Sequence, residues 1–283
     1  MNILLPIDFS KNSRNAIAYA MELFKNEKCK FFFLHTYTPS FYRMDYMLGG
    51  PSFSAIPDSD VDISLAGLEK TLADVKKTYN NPKHTYSIIS AFNTLTDEIN
   101  EVTTEKEIDM VVMGTQGATG AKEIFLGTNT VYVLRKAIAP VLIIPENYTF
   151  QKIQKILLPS DYLTNYKDNE LSTAIKMVKM NKAKLIVLHV KEEHNLTAIQ
   201  EENKMALYRR LDGLPITFKE LKGSSMPNAV LDYVQNNEID FLMMMNRKHS
   251  FFERLLVRQN IDQIGFHIKI PFLVIRDTAK PSK

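Results

Sequence analysis

The sequence predicts an α/β fold: two tandem doubly wound, Rossmann-like domains, each a five-stranded parallel sheet with helices on both faces. Short apolar runs alternate with amphipathic stretches of helical period throughout the chain. The runs are continuous rather than alternating, as strands covered on both faces require. The whole pattern also occurs twice. Ile3-Leu4-Leu5-Pro6-Ile7-Asp8 returns as Ile156-Leu157-Leu158-Pro159-Ser160-Asp161, and Leu34-His35-Thr36 as Leu188-His189-Val190. Glu107-Ile108-Asp109 returns as Glu238-Ile239-Asp240, and Pro140-Val141-Leu142-Ile143-Ile144 as Pro271-Phe272-Leu273-Val274-Ile275. All four matches keep their order. They divide the chain into domains 1–147 and 152–279, joined by Pro145-Glu146-Asn147-Tyr148 and the residues just after it.

In the first copy the strand runs are Ile3–Ile7, Phe31–Leu34, Met110–Met113 and Val141–Ile144, and the spacing leaves room for a fifth. Ile17, Ala20 and Phe24 share one face of the first helix; Leu65, Leu68, Leu72, Val75 and Tyr79 share one face of the next. A third helix carries Leu95, Ile99 and Val102, and the last carries Val133, Leu134 and Ala137. Strand–helix alternation implies right-handed crossovers and a parallel sheet. In such sheets ligands bind beyond the carboxyl ends of the strands, where the winding direction reverses.

Composition narrows the function classes. With 45% hydrophobic and 24% charged residues the chain has the balance of a soluble globular protein. A net charge of +3 over 283 residues gives no electrostatic reason to expect nucleic acid as a partner. Cys29 is the single cysteine, which excludes an intramolecular disulfide and a thiol metal cluster. No apolar stretch approaches the roughly 18 residues of a membrane span. The first residues carry no basic leader, so a cytoplasmic location is expected.

After Met110–Met113 comes Gly114-Thr115-Gln116-Gly117-Ala118-Thr119-Gly120, and later Gly127-Thr128-Asn129-Thr130. Glycines here let the backbone take positive φ and approach a ligand with no Cβ in the way. Successive free N–H groups form an anion nest, to which the start of the following helix adds its positive dipole end. The Thr128 hydroxyl either donates to a phosphate oxygen or caps that helix. Gly114 and Gly117 also fit a plain tight strand–helix turn.

The spacing G-x2-G-x9-G-[ST] at Gly114, Gly117, Gly127 and Thr128 resembles the ATP-binding signature of the universal stress protein family. The flanking Asp109-Met110-Val111-Val112-Met113-Gly114-Thr115, Val133-Leu134-Arg135 and Ala139-Pro140-Val141-Leu142 are similar to that family as well. The resemblance covers nearly the whole chain as a tandem pair. It implies that Pro6, Ile7 and Asp8 border the nucleoside, with Asp8 accepting from ribose hydroxyls. Thr36 would meet the adenine edge through its backbone, and Met113 and Gly114 would floor the cleft. Gly117, Gly127, Thr128 and Asn129 would hold the phosphates of ATP, with Mg2+ or another divalent cation admitted beside them. The resemblance also implies an internal pseudo-dimer of the two halves through Val141–Ile144 and Phe272–Ile275, and allows a homodimer. No protein ligand set for a metal is read from the sequence.

Other readings of the same residues stay open. Asp8 fits a helix start, with Ser10 and Ser13 beside it. His35 recurs as His189 inside an apolar strand, which suits a satisfied core histidine. In the second copy Met245 stands opposite Gly114, Lys248 opposite Gly117, Arg258 opposite Gly127 and Gln259 opposite Thr128, so the loop is degenerate and one nucleotide site per chain is expected. Asp161 persists without a loop. Arg247, Lys248, His249, Arg254 and Arg258 form a basic edge there, either an anion site or a solvated face. The first copy alone carries an insertion within 37–62, rich in aromatic residues and beside the expected adenine site.

Catalytic chemistry is absent from the pattern. No P-loop lysine, paired carboxylates, G-x-S-x-G turn or histidine metal spacing is present. The expected function is therefore an ATP-binding stress-response or regulatory protein, with an unidentified protein partner, no catalytic residues and at most slow hydrolysis. The alternative is a nucleotide-independent interaction or small-ligand-carrier module built on the 37–62 insertion and the basic edge.

Overall fold

The computed structural model describes residues 1–37, 59–115, 126–191, 195–223, 225–247, 250–254 and 268–278. The chain folds as two compact units, the first ending at Phe150 and the second taking up the chain from Gln151.

The first unit runs β1 (Asn2–Pro6), α1 (Lys11–Leu23), β2 (Cys29–Tyr37), α2 (Ser59–Thr78), β3 (His84–Phe92), α3 (Leu95–Glu105), β4 (Met110–Gly114), α4 (Thr128–Lys136) and β5 (Val141–Ile144). Its strand order is β3-β2-β1-β4-β5, and every neighbouring pair is parallel. Right-handed crossovers put α1 and α2 on one face and α3 and α4 on the other. The helices accordingly pack α1 on β4 and β5, α2 on β2 and β3, and α3 on α4. The winding reverses between β1 and β4.

The second unit repeats the plan with β6 (Lys155–Pro159), α5 (Asp168–Asn181), β7 (Lys184–Lys191), α6 (Ala198–Arg210), β8 (Ile216–Lys222), α7 (Met226–Asn236), β9 (Phe241–Asn246) and β10 (Phe272–Arg276). Its order is β8-β7-β6-β9-β10, again parallel throughout.

The continuous apolar runs form the sheet cores: Ile3, Leu4, Phe31, Phe33, Leu34, Val111 and Val112 are wholly buried, as are their counterparts Ile156, Leu157, Leu185, Val187 and Leu188. Burying side chains of this size contributes roughly 1.5–3 kcal/mol each. One helical expectation shifts by a position. On α2 the wholly buried residues are Ser64 and Leu68, whereas Leu65 is 37% exposed.

The repeated Glu-Ile-Asp tripeptides are a structural joint. Glu107 and Glu238 both take the left-handed conformation, with φ of 50° and 51°. The isoleucines that follow are buried. Asp109 Oδ2 then accepts the Asn2 N–H at 2.8 Å, and Asp240 Oδ2 accepts the Lys155 N–H at 2.8 Å. Each joint ties the beginning of the fourth strand of its unit to the start of the first. The register that results, Ile3 beside Met110 and Ile156 beside Phe241, places Met245 where the first unit has Gly114.

Candidate functional site

A cleft opens in the first unit at the carboxyl ends of β1, β2 and β4, at the point where the winding reverses. Pro6, Ile7, Asp8, Thr36, Met113, Gly114 and Asn129 line it, together with Ser13, His35, Leu95 and Thr130. Seven residues singled out in the sequence therefore come together at one place. Gly127 and Thr128 flank the helix start next to the lining residues, while Gly117, Gln116 and most of the 37–62 insertion lie outside the described residues. Ser13, Leu95 and Thr130 are not among the nucleotide contacts expected from the sequence; the starts of α1, α3 and α4 position them.

The turn from β1 into α1 builds one wall. Phe9 adopts φ of 63°, and Asp8 Oδ1 accepts the Ser10 N–H at 3.1 Å. The cap of α1 is Ser10, whose hydroxyl accepts the Ser13 N–H at 3.1 Å. Asp8 thus shapes the turn with Oδ1, is not the cap, and lines the cleft. The Phe9 ring packs on His35 with centroids 4.6 Å apart. On its other side lies Gly67, where a Cβ would fall 2.5 Å from the ring.

His35 is half-buried and lines the cleft, so it is not the enclosed core histidine that its strand suggests. Its Nδ1 is hydrogen-bonded to Ser64 Oγ at 2.8 Å, and Ser64 Oγ to Ser90 Oγ at 2.7 Å. Burial lowers the His35 pKa below its ordinary 6.5, partly opposed by the Asp8 carboxylate. Burial thus favours the neutral ring.

The other wall is the end of β4 and the start of α4. Gly114 is not in the left-handed region; its missing Cβ serves packing instead. A Cβ there would meet the Asn12 backbone oxygen at 3.1 Å and Asn12 Cβ at 3.2 Å. The first turn of α1 can therefore close over the strand end. Gly127 is the N-cap of α4 and offers no side-chain bond, so Thr128 occupies the first helical position and is not the cap. The chain is pinned by Gly127 N–H donating to Thr115 O at 2.8 Å, and by Thr130 Oγ1 donating to Thr115 O at 3.2 Å. The amides of the first turn, which no carbonyl within the helix can accept, sit beside the cleft with the positive end of the helix dipole.

The second unit fills the corresponding space with its own side chains. Met245, 4% exposed, stands at the Gly114 position. α1 begins at Lys11, three residues past Asp8, whereas α5 begins at Asp168, seven past Asp161. About one helical turn is therefore absent at the start of α5 relative to α1. The uncoiled stretch carries Tyr166, which is buried and donates to Ser160 Oγ at 3.0 Å. Arg247 lies over the Tyr166 ring at 4.8 Å and donates through Nη2 to Glu170 Oε2 at 2.8 Å, both side chains being almost wholly enclosed. Burial opposes ionisation of Glu170, but the amides of Lys167 and Thr278, the Thr278 hydroxyl and Arg247 together hold its pKa below the ordinary value. Arg247 is thus neither a free anion ligand nor part of a solvated basic edge. Lys248, His249 and Arg258 lie outside the described residues.

Among the described residues no group of three or more His, Cys, Asp or Glu is placed to hold a metal ion, and no helix is long and apolar enough to cross a membrane.

Comparison with known proteins agrees with this architecture. A universal stress protein from Archaeoglobus fulgidus DSM 4304 is similar in structure, with a TM-score of 0.67 at 19% identity, covering 97% of this chain and 96% of that one. A putative universal stress protein from Pseudomonas aeruginosa UCBPP-PA14 gives a TM-score of 0.58 at 12% identity, covering 97% and 92%. At such identities the likeness shows the fold alone. No curated protein matches the chain. The Universal stress protein family matches twice, over residues 1–145 and 152–276, and the chain belongs to that family.

Proposed function

We propose that the first unit binds an adenine nucleotide, ATP, at one site per chain, and that the protein acts by binding, in stress response or regulation, rather than by turnover. The observation that carries this reading is the convergence of residues chosen for nucleotide chemistry on one cleft at the winding reversal. Asp8 Oδ2 is the acceptor available to sugar hydroxyls. The Thr36 main chain meets the base, and Met113 and Gly114 form the floor. The α4 amides at Thr128 and Asn129, with Gly127 before them and Gly117 in the preceding loop, take the phosphates. A divalent cation, where present, would sit on the phosphates rather than on a protein cage. Population shift supplies the mechanism: ATP favours the state of the unit that binds it and so changes the surface a protein partner meets.

The test is to denature the purified full-length protein, identify any released nucleotide, and titrate ATP into nucleotide-free protein. The expected result is close to one ATP per chain, lost on replacing Gly117 and Gly127 by bulky residues. Retention of ATP by those variants would overturn the site assignment. Metal-dependent turnover on the order of 1 per second or faster would replace binding by an enzymatic role.

A further inference from the structure

His35 has a second half to its environment that the nucleotide reading leaves unused. Its Nδ1 is committed to Ser64, which is wholly enclosed in α2 and linked in turn to Ser90 on β3. Its ring lies against Phe9, the residue after Asp8, and it lines the same cleft as Asp8. Asp8 spends one oxygen on the Ser10 amide.

We propose that His35, oriented by the Ser64–Ser90 hydroxyl pair, donates from Nε2 to the same sugar hydroxyl that Asp8 accepts from, and so makes the cleft selective for a ribose over a deoxyribose nucleotide. The proposal rests on the nucleotide reading above. Its logic is the direction of a hydrogen-bond chain. With a sugar hydroxyl bonded to both Asp8 and His35 the chain has one direction: Ser64 donates to the His35 Nδ1 lone pair and Ser90 donates to Ser64 Oγ. The single proton of the neutral ring then sits on Nε2. A ligand hydroxyl accepts that proton's hydrogen bond and donates its own to Asp8 Oδ2. Every group in the series has one role, and Asp8, which can only accept, sets the direction. Remove the hydroxyl, and Asp8 and His35 are both left facing a gap with nothing between them to bond.

The second unit shows the opposite arrangement around the equivalent ring. His189 Nδ1 lies 3.0 Å from the Ser160 carbonyl oxygen. A carbonyl only accepts, so Nδ1 is the donor of this contact rather than an acceptor. The ring stacks on Tyr162, where His35 lies tilted against Phe9. The two histidines hold the same place in the fold, but only His35 Nδ1 faces a hydroxyl that can donate to it.

Calorimetric titration of the full chain with ATP, 2′-deoxy-ATP and 3′-deoxy-ATP tests this. The expected result is that one of the deoxy analogues binds about 10- to 100-fold more weakly than ATP. His35→Phe, which keeps a ring against Phe9, should reduce that ratio about tenfold; Ser64→Ala, milder for folding, should reduce it about threefold. Histidine-selective 15N NMR should show ATP driving His35 to the Nε2–H tautomer while His189 stays Nδ1–H. ATP binding with a deoxy ratio unmoved by His35→Phe and Ser64→Ala would overturn this inference and leave the nucleotide site standing. Failure of all three nucleotides to bind would overturn both.

Discussion

The two units share a scaffold and differ in what stands at its mouth. Asp8 and Asp161 make the same turn, each accepting with Oδ1 the amide two residues on, at 3.1 and 3.0 Å. Phe9 and Tyr162 follow in the left-handed conformation, φ 63° and 57°, and each packs on the histidine of the second strand. None of this is specific to the unit with a cleft. What differs is Gly114 against Met245, and the turn of helix that one admits and the other displaces. Residues common to both units build the scaffold; in the proposed site Asp8 and His35 add a ligand role to it, because the residues that diverge leave a cleft beside them.

The largest expected effect lies in the filled unit. Arg247→Met would strip the enclosed Glu170 of its cation and should cost about 3–5 kcal/mol in urea denaturation. Replacing Glu170 by Leu in the same chain should recover most of that loss. The pair also has an acid signature. Because the folded pKa of Glu170 is held below 4.5, its contribution is complete above that pH and is lost as pH falls through the folded value. Glu170→Gln should remove that part of the acid dependence.

Gly114→Met carries the second unit's choice into the first. Its Cβ would press on the Asn12 backbone, so a stability loss of about 1–3 kcal/mol is expected. ATP affinity should fall with it, since the first turn of α1 borders the cleft. Unchanged stability and affinity would show that Met245 is not what closes the second unit.

The smallest effects divide scaffold from site most finely. Asp8→Ala and Asp161→Ala each remove one turn hydrogen bond and should cost about 1 kcal/mol alike in denaturation. Only Asp8→Ala should also weaken ATP binding. Equal behaviour in both assays would reduce Asp8 to a turn residue.

Much of this was legible in the sequence because buried parallel strands write themselves as unbroken apolar runs. Ile3–Ile7 and Met110–Met113 needed no further help. The edge strands β3 and β8 did not show this way: His84–Phe92 is mostly half-buried and Ile216–Lys222 mixes lysines with apolar residues. The cleft's glycines and strand-end residues were visible through spacing, but their physical reasons were not. Gly114 is needed for helix packing rather than for positive φ, a fact that depends on where Asn12 falls. The Arg247–Glu170 pair was invisible because its partners come from distant segments, and a cluster of basic residues in sequence says nothing about which one turns inward.

The contact of Phe9 with Gly67 carries a consequence for the order of assembly. The turn that presents Asp8 is local, but the ring beside it packs on His35 of β2 and is closed against Gly67 once α2 has docked on β2 and β3. The rim of the cleft is therefore completed by a long-range contact, of the kind that closes late in folding. A ligand held there would favour the docked arrangement by mass action, so protection of α2 from amide exchange should follow occupancy of a cleft to which most of that helix makes no direct contact.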